Sequence, residues 1–84
     1  MREAAYQSKL IKFYEDEGWY VIKLIKTNKN GICDLVCIKK DRVLFIEVKA
    51  ANGKVSELQQ YRIDELKRHG IDAIVKYAPY WTAI

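Results

Sequence analysis

The chain has 84 residues, half of them apolar, and 15 Lys and Arg against 11 Asp and Glu, a formal charge of +4. That length makes one small domain with a modest core, for which oligomerisation is a common way to add buried surface. The apolar content excludes disorder, and no run approaches the roughly 18–20 apolar residues that span a bilayer. The positive excess suits a polyanionic partner, although many ordinary domains share it.

A first helix is expected from about Arg2 to Glu17, rich in helix formers and stopped by Gly18. Gln7, Leu10, Ile11 and Tyr14 recur at helical spacing as its inner face, with Glu3 one turn earlier on the same stripe. "WYVIKLI" (19–25) alternates as a strand, and "KTNKNG" (26–31) is a polar, basic loop hinged at Gly31. "CDLVCI" (33–38) and "VLFIEV" (43–48) are two more strands, with "KKDR" (39–42) as their hairpin turn. After a second turn, "ANGK" (51–54), a helix runs from about Ser56, a good N-cap, to His69 and closes at Gly70. "IDAIVKY" (71–77) is a last strand, and the apolar tail with Tyr80 and Trp81 is expected to pack on the domain or on a second subunit. Helix, three strands, helix, strand is an α/β order that requires a mixed sheet with at least one parallel pairing.

Cys33 and Cys37 have no histidine near them in sequence, so reduced, partly buried thiols are expected rather than a zinc site. The opening residues lack the apolar core of a secretory signal, which makes the cytoplasm the expected location.

The chemistry gathers on the third strand. Leu44, Ile46 and Val48 make one apolar face, while the opposite face passes from Val43 and Phe45 to Glu47 and Lys49. Alone, that ending also suits a surface ion pair. A lone carboxylate, Asp34, interrupts the neighbouring apolar run just after Gly31. If the two strands pair about the 39–42 turn, Asp34 falls opposite or diagonal to Glu47. Two carboxylates that close repel unless a cation lies between them, and hard oxygen ligands of this kind suit Mg²⁺ or Mn²⁺. A lysine two residues past one ligand completes a site suited to phosphoryl transfer.

"GICD" (31–34), then twelve residues, "EVK" (47–49), and "GKVSELQ" (53–59) leading into a helix resemble the PD-(D/E)xK nuclease core. The series is similar in particular to its virus-type replication-repair branch (VRR-NUC), whose pattern reads G-x-P-D, E-x-K, then S-x-x-Q on a helix. The resemblance spans nearly the whole chain and implies one restriction-endonuclease-like domain over residues 1–84. It implies that Asp34 and Glu47 bind Mg²⁺ or Mn²⁺ with the backbone carbonyl of Val48, and that Lys49 is the catalytic lysine. Glu3 sits where the family carries a helix-borne acid that touches metal-bound water or a second ion; simple charge complementarity at a helix N-terminus is the other reading. Gln59 is placed near the active site by the resemblance, yet Ser56-x-x-Gln59 is also a capping box. Cys33 departs from the family's proline, so this strand is expected to start less rigidly.

The implied function is metal-dependent phosphodiester hydrolysis on branched DNA. Small members of this branch resemble viral or bacterial junction-resolving homodimers, and a two-fold dimer matches the two symmetric scissile phosphates of a four-way (Holliday) junction. Lys26, Lys29 and Asn30 on the loop, with Lys54 and Arg62 beyond the strand, are candidate phosphate contacts, which position DNA without reading sequence. No membrane and no small-molecule cofactor are expected. A non-catalytic, dimeric branched-DNA-binding domain is the alternative; a sequence-specific restriction-type enzyme ranks lower, because target-reading insertions have no room in 84 residues.

Overall fold

The computed structural model describes residues 2–79. The elements are α1 (Glu3–Asp16), β1 (Tyr20–Lys23), β2 (Leu35–Lys39), β3 (Arg42–Lys49), α2 (Glu57–Arg68) and β4 (Asp72–Tyr77). This is the expected order. The sheet runs β1-β2-β3-β4; the first three strands are antiparallel, and β4 joins β3 in parallel after the α2 crossover. Both helices stop at glycines, Gly18 and Gly70, as expected. No helix among the described residues is long and apolar enough to cross a membrane. The expectation for Tyr80 and Trp81 lies outside the described residues.

The sheet separates two apolar layers. On one face Leu35, Cys37, Leu44, Ile46 and Val48 pack against Tyr6, Leu10 and Tyr14 of α1. On the other, Cys33, Phe45, Ala73 and Val75 pack against Ile63 and Leu66 of α2. The period-2 alternation of β3 therefore feeds both layers, and it delivers Glu47 and Lys49 to the α2 side. The inner stripe of α1 is rotated from the expected one. Tyr6 is fully buried while Gln7 and Ile11 lie at the margin, because positions 6, 10 and 14 run straight down the face that meets the sheet.

The β2–β3 turn is tighter than the expected 39–42. Lys39 pairs with Arg42, which leaves only Lys40 and Asp41 in the turn, with Lys40 at φ 58°. Both cysteines are free and buried. Burial, reinforced by Glu47 and Asp34, pushes the Cys33 thiol up to about 12, and burial pushes Cys37 up to about 11. Both are therefore neutral packing groups at physiological pH.

The loop between β1 and β2 is pressed onto α2. Gly31 has φ +79°, and a Cβ there would lie 2.6 Å from Leu58 Cγ. Backbone strain and overlap add, so Gly31→Ala is expected to cost about 1–3 kcal/mol in urea unfolding. Placing Leu58→Ala in the same chain should recover the overlap part and leave the backbone part. An unchanged unfolding midpoint for the single variant would contradict this packing.

Candidate active site

β3 outruns β2. The ladder between them ends at Leu35 and Ile46, so Glu47, Val48 and Lys49 have no β2 partner, while on the other side they stand in register with Val75, Lys76 and Tyr77 of β4. Asp34 fills this gap. Its N–H donates to the Ile46 carbonyl at 3.0 Å, and its Oδ2 accepts the Val48 N–H at 2.8 Å. A side-chain carboxylate thus stands where a ladder carbonyl would be, which fixes it beside Glu47. The N–H and carbonyl of one strand residue point to the same edge, so the Val48 carbonyl faces the Asp34 edge too.

Glu47 is 2% exposed. Its Oε2 accepts from Gln59 Nε2 at 3.0 Å and lies 3.5 Å from Lys49 Nζ, whereas its Oε1 is buried with no hydrogen-bond partner. Gln59 Oε1 accepts both Lys49 Nζ, at 2.8 Å, and the Ser56 N–H, at 2.9 Å; Ser56 Oγ in turn accepts the Gln59 N–H at 3.1 Å. The capping box is complete. The same amide also spans the two charged groups at the end of β3, so cap and site contact are one side chain's geometry. Two donors converging on Oε1 and a carboxylate facing Nε2 determine the amide's orientation.

Burial and then the charge of Asp34 push the Glu47 carboxyl up to about 7; Lys49 opposes them. Two carboxylates repel each other at the end of β3, the one ammonium beside them is paired with Glu47, and one buried oxygen is orphaned. That is the environment in which a hard divalent cation is stabilised by the oxygens present. The donor set of Asp34, Glu47 and the Val48 carbonyl fits Mg²⁺ or Mn²⁺ on this ground.

The raised carboxyl has a consequence for stability. The folded chain holds the Glu47 proton more tightly than the unfolded chain, whose glutamate has the ordinary value of 4.5. Without a bound cation, its contribution is full below about pH 4.5 and is lost as pH rises through about 7. In EDTA, Tm is expected to fall more between pH 5 and pH 8 for the natural chain than for Glu47→Gln. Equal falls would contradict the burial of an uncompensated charge.

The other predicted residues are placed unevenly. Lys26, Lys29 and Asn30 line the same cavity as Asp34. Lys54 is exposed in the segment leading to α2. Arg62 is occupied structurally: its Nε donates to the Asn30 carbonyl at 2.7 Å, and its Nη1 pairs with Glu65 at 3.0 Å, which ties the basic loop to α2. Glu3 is exposed on the first turn of α1. Among the described residues no three His, Cys, Asp or Glu side chains cluster as an ion site, so Glu3 is not drawn to Asp34 and Glu47. Lys76 received no role from the sequence, yet it is 3% exposed on β4 opposite Val48, and burial lowers its pKa. The signal available was its place in the alternation, in phase with Ile74, which packs against the core.

The VRR-NUC domain model matches residues 3–78. Two solved structures described as a VRR_NUC domain and a VRR_NUC domain protein share the fold. The first has 24% identity and a TM-score of 0.75 over 87% of this chain and 81% of that one. The second has 21% identity and a TM-score of 0.73 over 92% and 78%. Hjc from Archaeoglobus fulgidus, a Holliday junction resolvase, also shares it, at 16% identity and a TM-score of 0.70 over 95% of this chain and 68% of that one. Comparison with curated proteins gives no match. Sheet order, the Asp34–Glu47–Lys49 arrangement and the match over residues 3–78 lead to one conclusion: the chain belongs to the VRR-NUC nuclease domain family.

Proposed function

We propose that residues 1–84 form a single Mg²⁺- or Mn²⁺-dependent endonuclease domain that cuts branched DNA, four-way junctions above all, as a homodimer. The observation that carries this reading is the buried Glu47, with an orphaned oxygen beside Asp34 and with Lys49 held against it. Asp34, Glu47 and the Val48 carbonyl hold the cation. When bound, the cation supplies an acidified water and neutralises charge developing on the scissile phosphate. Lys49, anchored by Gln59 Oε1 at 2.8 Å, presents a fixed ammonium to the pentacoordinate transition state. Gln59 orients Lys49 and Glu47 together. Lys26 and Lys29 hold the DNA backbone beside Asp34, with Lys54 as a more distant phosphate contact; Arg62 acts by holding their loop. Glu3 enters only as an outer contact to water on the cation.

The junction preference is supported by the fold shared with a Holliday junction resolvase, and the dimer by the two symmetric cuts that one small site cannot make at once. The test is a panel of four-way junction, flap, splayed and duplex DNA of equal strand length with each cation, run beside a mass measurement in solution. The expected result is preferential cutting of the junction by a species of twice 9.9 kDa. Junction binding without cleavage in either cation would leave a DNA-binding domain instead.

A further inference from the structure

We infer that the cavity between the β1–β2 loop and Asp34 seats one unpaired nucleotide next to the scissile phosphate; this rests on the nuclease reading above. The cavity measures about 260 Å³, has a mostly polar lining, and is bounded by Leu24, Ile25, Lys26, Lys29, Asn30 and Ile32 together with Asp34. It lies just below the ~300–1,000 Å³ of pockets for drug-sized ligands, room for one nucleotide unit and not for a stretch of strand.

The cavity is preformed. Leu24 N–H donates to the Asp34 carbonyl at 2.8 Å and closes the base of the loop. Thr27 Oγ1 accepts the Lys29 N–H at 3.1 Å, and Ile32 N–H donates to the Lys29 carbonyl at 3.2 Å, which shapes the tip. Arg62 and the close approach of Gly31 to Leu58 hold the far side against α2. Such a loop binds without first paying to order itself.

Position and chemistry identify the occupant. Asp34 is a proposed cation ligand, so a group that fills the cavity lies next to the phosphate that the cation would hold. The two lysines neutralise the flanking phosphates, the exposed Ile25 side chain offers its surface to the flat of a base, and Asn30 offers both a donor and an acceptor to its edge. Ile25 is 85% exposed at the rim, an open apolar surface that a base would cover. A paired base reaches this depth only by leaving its stack, at a cost of a few kcal/mol that an already unpaired one avoids. The cavity thereby selects DNA that is open beside the cut.

The test uses the full chain in EDTA and a DNA duplex carrying one unpaired nucleotide, placed in turn on each side of the cut mapped with Mg²⁺ or Mn²⁺. Binding is expected to be about tenfold tighter with the unpaired nucleotide on one side than with paired duplex. An abasic residue there should lose the gain. 2-Aminopurine at that position should brighten on binding and resist acrylamide quenching. Ile25→Ser, at an exposed position, should keep the natural Tm and lose about fivefold of the gain. Metal-dependent cleavage accompanied by equal binding of paired, unpaired and abasic DNA overturns this inference and leaves the nuclease reading standing. Retention of the gain by the abasic DNA means that only phosphate is held there, which also overturns it. No cleavage of any DNA overturns the nuclease reading, and this inference with it.

Discussion

Lys49→Ala is expected to cut four-way junction DNA about 10²–10³-fold more slowly than the natural chain under single-turnover conditions, with junction binding changed by less than a few fold. The lysine is 11% exposed and held between Gln59 Oε1 and Glu47, so its ammonium is aimed rather than free in solvent. Its loss acts twice. It removes the fixed charge proposed for the transition state, and it removes the group that holds the Glu47 carboxyl down against burial and Asp34. The residual activity of Lys49→Ala should therefore need a higher pH than that of the natural chain, because Glu47 must ionise before it can serve as the proposed ligand. A rate within threefold of the natural chain would contradict the assignment.

Gln59 and Ser56 separate stability from chemistry. Ser56→Ala removes the hydroxyl that accepts the Gln59 N–H and should cost about 1 kcal/mol while sparing the rate. Gln59→Ala removes the reciprocal cap and the two contacts at the end of β3 together. It is expected to cost about 1–2 kcal/mol of stability and to slow cleavage by about 10–100-fold, as loss of an orienting partner does at metal sites. Gln59→Glu keeps acceptors for Ser56 and Lys49 but turns a carboxylate toward Glu47 Oε2, so its main defect should be in rate and in cation affinity. Thermal unfolding and single-turnover cleavage of the three variants check this. If Ser56→Ala and Gln59→Ala lose the same stability and neither loses rate, Gln59 is a cap alone.

Much of the candidate site's geometry was legible because it is written in strand periodicity. The alternation of 43–49 placed Glu47 and Lys49 on one face, and the short turn before Arg42 set the register that brings Asp34 beside Glu47. What stayed hidden depends on how elements cross. The run from Cys33 reads as strand, yet β2 begins at Leu35, because the Asp34 carboxylate, and not a backbone carbonyl, takes the Val48 N–H. Cap and site looked like rival roles for Gln59, since local spacing does not tell that the first turn of α2 lies over the end of β3. Arg62 looked like a phosphate contact for the same reason: its partner, Asn30, is 32 residues away. Tyr6 displaced Gln7 from the inner stripe because helix rotation is set by the sheet it meets.

Asp34→Asn isolates the role proposed for the cation. An asparagine oxygen can still accept the Val48 N–H, so the turn from loop to β2 is retained while one proposed anionic ligand is lost. Four-way junction cleavage is measured for the natural chain and Asp34→Asn in EDTA, Mg²⁺ and Mn²⁺, with junction binding followed in parallel. Cleavage by the natural chain with either cation and not in EDTA, and none by Asp34→Asn although it binds, is the predicted result. Cleavage that persists in EDTA with both proteins would contradict it.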